Sequence, residues 1–155
     1  MRGALRGVLA VALVLSVAAA SGCGGNTKAK NDYVAAVNRA QSDFVAVVDD
    51  SESRISGNAS DAETATQLDA IRAAAAKVVV ELRSIKPPGN VRTLHANLVR
   101  EAQGLVTAFR KAAAAYRSGT PSQILTAKVD LSKDVSRVNS QLNATIQALN
   151  NKLHG

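Results

Sequence analysis

The sequence predicts an all-α protein, an antiparallel up-down-up-down four-helix bundle. Three observations lead to this fold class. Only three prolines interrupt an alanine-rich chain of 155 residues, and alanine favours helix most while proline disfavours it most. Apolar residues recur at steps of three and four, which places them on one face of a helix. The connections between these stretches are short, and short connections favour antiparallel neighbours.

Four stretches of the chain carry this periodicity, and each defines an apolar stripe. The first stripe comprises Tyr33, Val37, Ala40, Phe44 and Val47. The second comprises Leu68, Ile71, Ala75, Val78, Leu82 and Ile85. The third comprises Val91, Leu94, Leu98, Ala102, Leu105, Phe109, Ala112 and Tyr116. The fourth comprises Leu131, Val135, Val138, Leu142, Ile146, Leu149 and Leu153. An extra step of four in the third and fourth stripes predicts locally relaxed supercoiling. The residues we expect in the core are Leu68, Leu82, Leu98, Phe109, Val135 and Leu142.

Local signals mark where the helices begin. Ser60-Asp61-Ala62-Glu63 has the capping-box pattern and predicts the start of the second helix. Thr120-Pro121-Ser122-Gln123 has the same pattern for the fourth helix, with proline at its first position.

Other signals mark where the helices end. Gly57-Asn58 separates the first two helices, and Pro87-Pro88-Gly89 stops the second because proline lacks the amide hydrogen. Ser118-Gly119 ends the third helix, where we expect the glycine to form a left-handed cap.

The chain before the bundle has the features of an export signal. Two arginines near the N-terminus precede the uncharged run Gly7 to Ala20, which is shorter than the roughly 20 residues needed to span a bilayer. The sequence Ala20-Ser21-Gly22-Cys23 then resembles the lipobox of bacterial lipoproteins, although that family prefers Leu, Val or Ile where this chain has Ala20. The resemblance implies cleavage between Gly22 and Cys23, lipid attachment to Cys23, and a place on the extracytoplasmic face of the cell membrane.

Lipidation also explains why the chain has a single cysteine. Cys23 has no disulfide partner within the chain, and the glycine-rich stretch after it offers no ordered pocket for a metal or catalytic thiol. We therefore divide the chain into a cleaved signal peptide (1–22), a lipidated cysteine with a flexible leader (23–30) and the four-helix bundle (31–155). A flexible leader of seven residues has a reach of about 15 Å.

Charge suggests how the bundle meets the membrane. The chain carries a net charge of +7, of which Arg2 and Arg6 leave with the signal peptide. Up-down-up-down topology would gather six basic residues at the end where the chain starts, against only Asp32 and Glu81. These six residues, here called the basic end, are Lys28, Lys30, Arg83, Lys86, Arg92 and Lys152. Each could gain about 1 kcal/mol near anionic lipid; the alternative is that they are ordinary solvated helix ends.

The sequence gives no reason to expect an enzyme, a cofactor, a metal or a nucleic-acid partner. Haem attachment needs C-x-x-C-H, and di-iron bundles need a glutamate three residues before a histidine; neither pattern occurs. Met1 belongs to the signal, and His95 and His154 are the only histidines. His95 follows a stripe residue, so we expect it at the edge of the stripe and half-exposed.

Acidic residues crowd around the first connection between helices. Their spacing matches no EF-hand loop, and acids at a helix start interact favourably with its dipole, so a solvated loop is favoured over a calcium site. The residues are Asp49, Asp50, Glu52, Asp61 and Glu63.

Two functional expectations follow. The segment from Ile85 to Val91, with Leu94-His95 nearby, resembles a turn of small helical lipoproteins from high-GC Gram-positive bacteria. That resemblance implies no assigned activity. We expect a lipid-anchored, non-enzymatic bundle that binds a protein or envelope component. The alternative is small-molecule binding in a cavity between the helices. A cavity of several hundred Å³ would favour the alternative, and a filled core with an exposed apolar patch would favour a protein partner.

Overall fold

The computed structural model describes residues 25–55 and 59–154, and it shows an all-α four-helix bundle in that part of the chain. The long helices are α1 (Gly25–Arg54), α2 (Asp61–Ser84), α3 (Arg92–Ser118) and α4 (Pro121–His154). A short 3-10 helix, Gly89–Val91, leads into α3. The predicted signal peptide, the cleavage site at Gly22, the lipidated Cys23 and the turn residues Gly57-Asn58 lie outside the described residues.

The core consists of the apolar stripes facing one another. All six residues predicted for the core are buried, and none is more than 4% exposed. Small and aliphatic side chains dominate the interior. Its buried aromatic residues in the described segments are Tyr33, Phe44 and Phe109. The stripes identified from the sequence therefore give the correct helical faces.

The phase of the stripes differs from the prediction at a few positions. Val48 and Val79 are buried where Val47 and Val78 were expected, and the latter two are only partly buried. From Tyr33 to Ser51 the buried positions on α1 advance 18 residues in five turns. This is the 3.6-residue period of a straight helix. A strict three-four alternation has a period of 3.5 residues, so the observed stripe is displaced by one residue, from Val47 to Val48.

The predicted starts of α2 and α4 are confirmed by their capping hydrogen bonds. The Ser60 N–H donates to Glu63 Oε2 at 2.7 Å, and the Glu63 N–H donates to Ser60 Oγ at 3.2 Å. The Thr120 N–H likewise donates to Gln123 Oε1 at 2.7 Å, while the Gln123 N–H donates to Thr120 Oγ1 at 3.3 Å. Each box satisfies amides that have no partner within the helix. The Ser60 hydroxyl also donates to Glu63 Oε2 at 2.8 Å, and the bonds from the Ser60 N–H and hydroxyl lower the pKa of Glu63.

The helix ends fall where predicted, but the cap at Gly119 has a different geometry. Helix α2 ends at Ser84, before the proline pair. Gly119 ends α3 with φ −82° and ψ 157°, so the expected left-handed cap is wrong. Its N–H donates to the Ala115 carbonyl at 2.7 Å, and a Cβ at this position would overlap that same oxygen. Glycine is required here for space and not for positive φ.

The predicted flexible leader is also wrong from Gly25 onward. Helix α1 begins at Gly25, six residues before the expected boundary at 31. Lys28 contributes to this extension, because its Nζ lies 2.6 Å from Asp32 Oδ2 one turn later. Such i,i+4 pairs support exposed helices modestly. Ordered helix therefore starts two residues after Cys23.

Close helix packing follows chain order, from α1 to α2, α2 to α3 and α3 to α4. The backbones of α1 and α4 do not pack closely along their described lengths. Helices α3 and α4 approach at Gly104, where a Cβ would lie only 3.2 Å from Val138 Cγ2. Nearby, the Thr145 hydroxyl donates to Glu101 Oε1 at 2.9 Å.

The helix phases can be tested with two leucines. Leu68 is 1% exposed, so Leu68→Ala should lower the free energy of unfolding by about 2–5 kcal/mol. Leu125 is 64% exposed, so the same truncation there should change it by less than about 0.5 kcal/mol. Urea denaturation followed by circular dichroism measures both, and equal losses would contradict the structure.

Candidate functional site

The basic end is formed where the start of α1, the end of α2, the start of α3 and the end of α4 meet. Hydrogen bonds between these segments define it. The Asn90 amide Nδ2 donates to the Lys152 carbonyl at 2.9 Å, which joins the α2–α3 connection to the last turn of α4. Contacts of His95 join the other segments. The structure thus brings the six predicted basic residues to one end of the bundle.

Most of these cations are exposed and make no ion pair within the described residues. Arg83, Lys86, Arg92 and Lys152 are exposed, and Lys30 is half-buried. Lys28 is paired with Asp32, but both side chains are more than half exposed. Exposed pairs of this kind contribute at most about 1 kcal/mol. The field outside this end of the bundle is therefore positive.

Helix dipoles explain only some of these charges. Arg83 lies in the last turn of α2, and Lys152 in the last turn of α4, where a cation interacts favourably with the negative end of the dipole. Lys28 and Arg92 instead lie in the first turns of α1 and α3, and neither helix has an acidic residue there. Cations at helix starts are unfavourable. The pair with Asp32 one turn later partly compensates Lys28, whereas Arg92 has a charge that helix stability does not account for.

His95 binds three helices together just inside the basic end. The prediction of a half-exposed residue is wrong, since His95 is 7% exposed and takes the buried stripe position expected for Leu94. The central line of buried positions therefore alternates by four and three from Val91 to Ala112, with Ala108 and Ala113 buried beside it, and the extra step predicted in this stripe is absent. The four-three spacing that includes position 95 is present in the sequence, but a search for apolar residues does not select a histidine.

The hydrogen bonds of His95 fix the tautomer that its neutral ring adopts. Its Nε2 lies 2.9 Å from the Leu82 carbonyl, which can only accept, so Nε2–H donates. Its Nδ1 then accepts from the Tyr33 hydroxyl at 3.2 Å, and the rings meet edge to face at 5.6 Å. Burial lowers the pKa of His95, although the bond to Leu82 opposes the shift. Burial raises the pKa of Tyr33 to about 12.

A groove lies between α3 and α4 toward the opposite end of the bundle. Its volume is about 390 Å³, and its floor is built from small or aliphatic side chains. The floor residues are Ala108, Ala112, Ala127 and Leu131. Because alanines occupy the facing positions beyond the close approach at Gly104, the two helices leave space between them there. Of the three floor alanines only Ala112 lies on a stripe identified from the sequence, and stripe alanines were expected to bring the helices close, so the sequence analysis did not predict this space.

The rim of the groove carries charges of both signs. Lys111 from α3 and Lys133 from α4 line it together with Asp130 and Asp134. Arg137 Nη2 donates to Asp134 Oδ1 at 2.7 Å. Lys111, Asp130 and Lys133 make no ion pair or hydrogen bond with the described residues. The groove therefore offers two unpaired cations and one unpaired anion, and sequence reasoning did not identify any of the three.

The described residues show neither a metal site nor a membrane span. No group of three His, Cys, Asp or Glu side chains in them could hold a metal ion, and this includes the acidic residues before and after the first connection. None of the described helices is long and apolar enough to cross a bilayer.

Comparison with known proteins adds no relative. No protein-family model, no curated protein and no solved structure matches this chain. Its function must be inferred from the geometry described above.

We use the term His95 junction for the contacts of His95 with Tyr33 and Leu82. From these contacts we expect the protein to lose stability in mild acid. The unfolded chain binds a proton at His95 near pH 6.5, whereas the folded protein binds it only at lower pH. As the pH falls through 6.5, only the unfolded state gains this proton, so the free energy of unfolding decreases.

His95→Gln should remove this decrease between about pH 7 and 5, because glutamine does not titrate. The measurement is urea denaturation of both proteins at each pH. Glu101, whose pKa is raised by burial, contributes a change of opposite sign above its ordinary pKa. Glu101 is present in both proteins, so its effect cancels in their difference. Parallel pH profiles would contradict a neutral buried His95.

Proposed function

We propose that this protein is a lipid-anchored, non-enzymatic component of the cell envelope that binds a protein or another envelope component. In this proposal the signal peptide is removed after Gly22, lipid on Cys23 holds the protein at the extracytoplasmic face of the membrane, and the basic end faces the lipid. The proposal rests on the lipobox-like sequence and on where the helices place the cations.

One observation carries the orientation. Arg92 occupies the first turn of α3 at the basic end, where the dipole disfavours a cation and no ion pair within the described residues compensates it. An anionic surface would offset this cost, since a cation near such a surface gains about 1 kcal/mol. A solvated helix end gives no such compensation.

The early start of α1 strengthens the argument. Gly25 is only two residue steps along the chain from Cys23, and an extended chain spans at most about 3.6 Å per step. Lipid on Cys23 would therefore hold the start of α1 within roughly 7 Å of the attachment point. This is less than the screening length of about 8 Å at physiological salt, so the cations would act within the range of the surface potential.

The groove supports the second candidate function, the binding of a small molecule. Its volume of about 390 Å³ lies within the range of ligand pockets. The floor includes the buried stripe residues Ala112 and Leu131, so such a ligand would bind between α3 and α4 against the edge of the core. An envelope-bound receptor for a soluble ligand would combine both candidates.

The anchor is tested by Cys23→Ser. We expect the wild-type chain in the membrane fraction of a bacterial host, where it takes up radiolabelled palmitate, because two or more acyl chains bind a protein stably to a bilayer. The variant should lose the label, keep its signal peptide and appear at higher mass. Ser21→Ala is a matched control that leaves the cysteine in place. An unlabelled wild-type chain would contradict the proposal.

The orientation is tested by distance to the bilayer. Ser53 is exposed near the end of α1, about 42 Å of helix away from Gly25. The full lipidated chain with Ser53→Cys has one free thiol for a donor dye, and acceptor dyes are placed in the lipid. We expect less energy transfer in nanodiscs with anionic lipid than in neutral ones, because charge attraction holds the helix upright.

Charge reversal provides the control for this experiment. Replacing Arg83, Lys86 and Arg92 by glutamate should abolish the difference between the two lipids. The same replacement at Arg39, Arg110 and Lys128, which are exposed and outside the basic end, should preserve it. Equal transfer on both lipids for the unreversed protein would show that charge does not orient the bundle.

A further inference from the structure

We propose that the α3–α4 groove binds a short zwitterionic peptide with small apolar side chains. The peptide carboxylate would pair with Lys111 and Lys133, its ammonium group with Asp130, and its side chains would cover the alanine floor. The inference relies on the proposed function only for the position of the groove above the membrane.

The charges of the rim favour a ligand that carries both signs. Lys111 and Lys133 come from different helices and line the same groove, so one carboxylate can approach both ammonium groups. Asp130 lies on α4 one turn before Asp134, whose carboxylate is already engaged by Arg137. Asp130 is therefore the acid left for an ammonium group. A purely anionic ligand would leave this acid facing it, and a purely cationic ligand would face two lysines.

The neutral part of the lining suits a peptide backbone. Ser122, Gln123 and Thr126 line the groove along α4 and supply hydroxyl and amide groups that can both donate and accept. A peptide unit presents one donor and one acceptor. The floor has no aromatic side chain on which a sugar ring or nucleobase could stack. The groove volume of about 390 Å³ suits a short peptide whose side chains are small.

The position of the groove excludes lipid headgroups as its ligand. Ala108 lies 16 residues beyond Arg92 along α3, a distance of about 24 Å. This is three screening lengths from the basic end. If that end faces the membrane, the groove faces the envelope space, and its ligand is a soluble molecule.

Saturation-transfer difference NMR on the full chain in nanodiscs tests the proposal, with empty nanodiscs as the reference. The probe is trialanine, compared with N-acetyl-trialanine and trialanine amide, which each lack one terminal charge. We expect saturable binding of trialanine and about three- to tenfold weaker binding of each blocked peptide, the range expected for losing one partly exposed ion pair. Absence of saturable binding, or equal binding of all three peptides, would overturn the proposal.

Variants assign each end of the peptide to its residues. Lys111→Met or Lys133→Met should weaken binding of trialanine but leave the amide unchanged, while Asp130→Asn should weaken trialanine but leave the acetylated peptide unchanged. Lys128→Met and Asp49→Asn, exposed and off the groove, are the matched controls. A control variant that weakens binding as much would place the peptide elsewhere and overturn the assignment. Because the assay needs no particular orientation on the bilayer, its failure is distinguishable from failure of the orientation experiment.

Discussion

The bundle depends on close packing of small side chains. Only four aromatic residues occur in the chain, and most of the buried residues in its described segments are alanine, valine or leucine. Each such side chain removes little apolar area from water, and stabilisation scales with that area at roughly 25 cal/mol per Å². The helices compensate by their length, from 24 to 34 residues, and by close approach, as where Gly104 meets Val138. Long, closely packed helices follow from this composition.

The length of the helices also explains which features of the fold could be predicted from the sequence. Helical faces repeat along many turns, so a stripe is recognised even when one position is misassigned, as at Val47 and Val78. Capping boxes are local, and both were recognisable from four consecutive residues. The bundle and its boundaries at α2, α3 and α4 therefore follow from short-range patterns alone.

Features that depend on contacts between distant segments did not follow from the sequence. His95 is buried because the Leu82 carbonyl and the Tyr33 hydroxyl, on two other helices, satisfy its ring nitrogens. No local pattern indicates these partners, and a polar residue without them would be expected at the surface. The up-down-up-down topology alone places the six basic residues at one end, whereas the rim of the groove depends on how far α3 and α4 separate.

The His95 junction also connects the core to the basic end. Tyr33 lies eight residues after Gly25, and His95 lies three residues after Arg92. The junction therefore holds the starts of α1 and α3 and the end of α2 in fixed relation, so the charges on these segments move as one rigid surface. Such a surface can orient the domain on lipid. Because the helix ends are already held together, little freedom of motion is lost when their charges bind.

Helix α4 gives the bundle two regions with different roles. From Leu131 to Leu153 it supplies a continuous stripe to the core, whereas its first ten residues, Pro121 to Asp130, contain no buried side chain. The exposed Leu125 and Val129 belong to this first part. A capping box and a proline at the first position stabilise the helix locally where tertiary packing does not. The start of α4 is thus kept helical by its own sequence while its surface stays accessible, and the groove forms on the side where it faces α3.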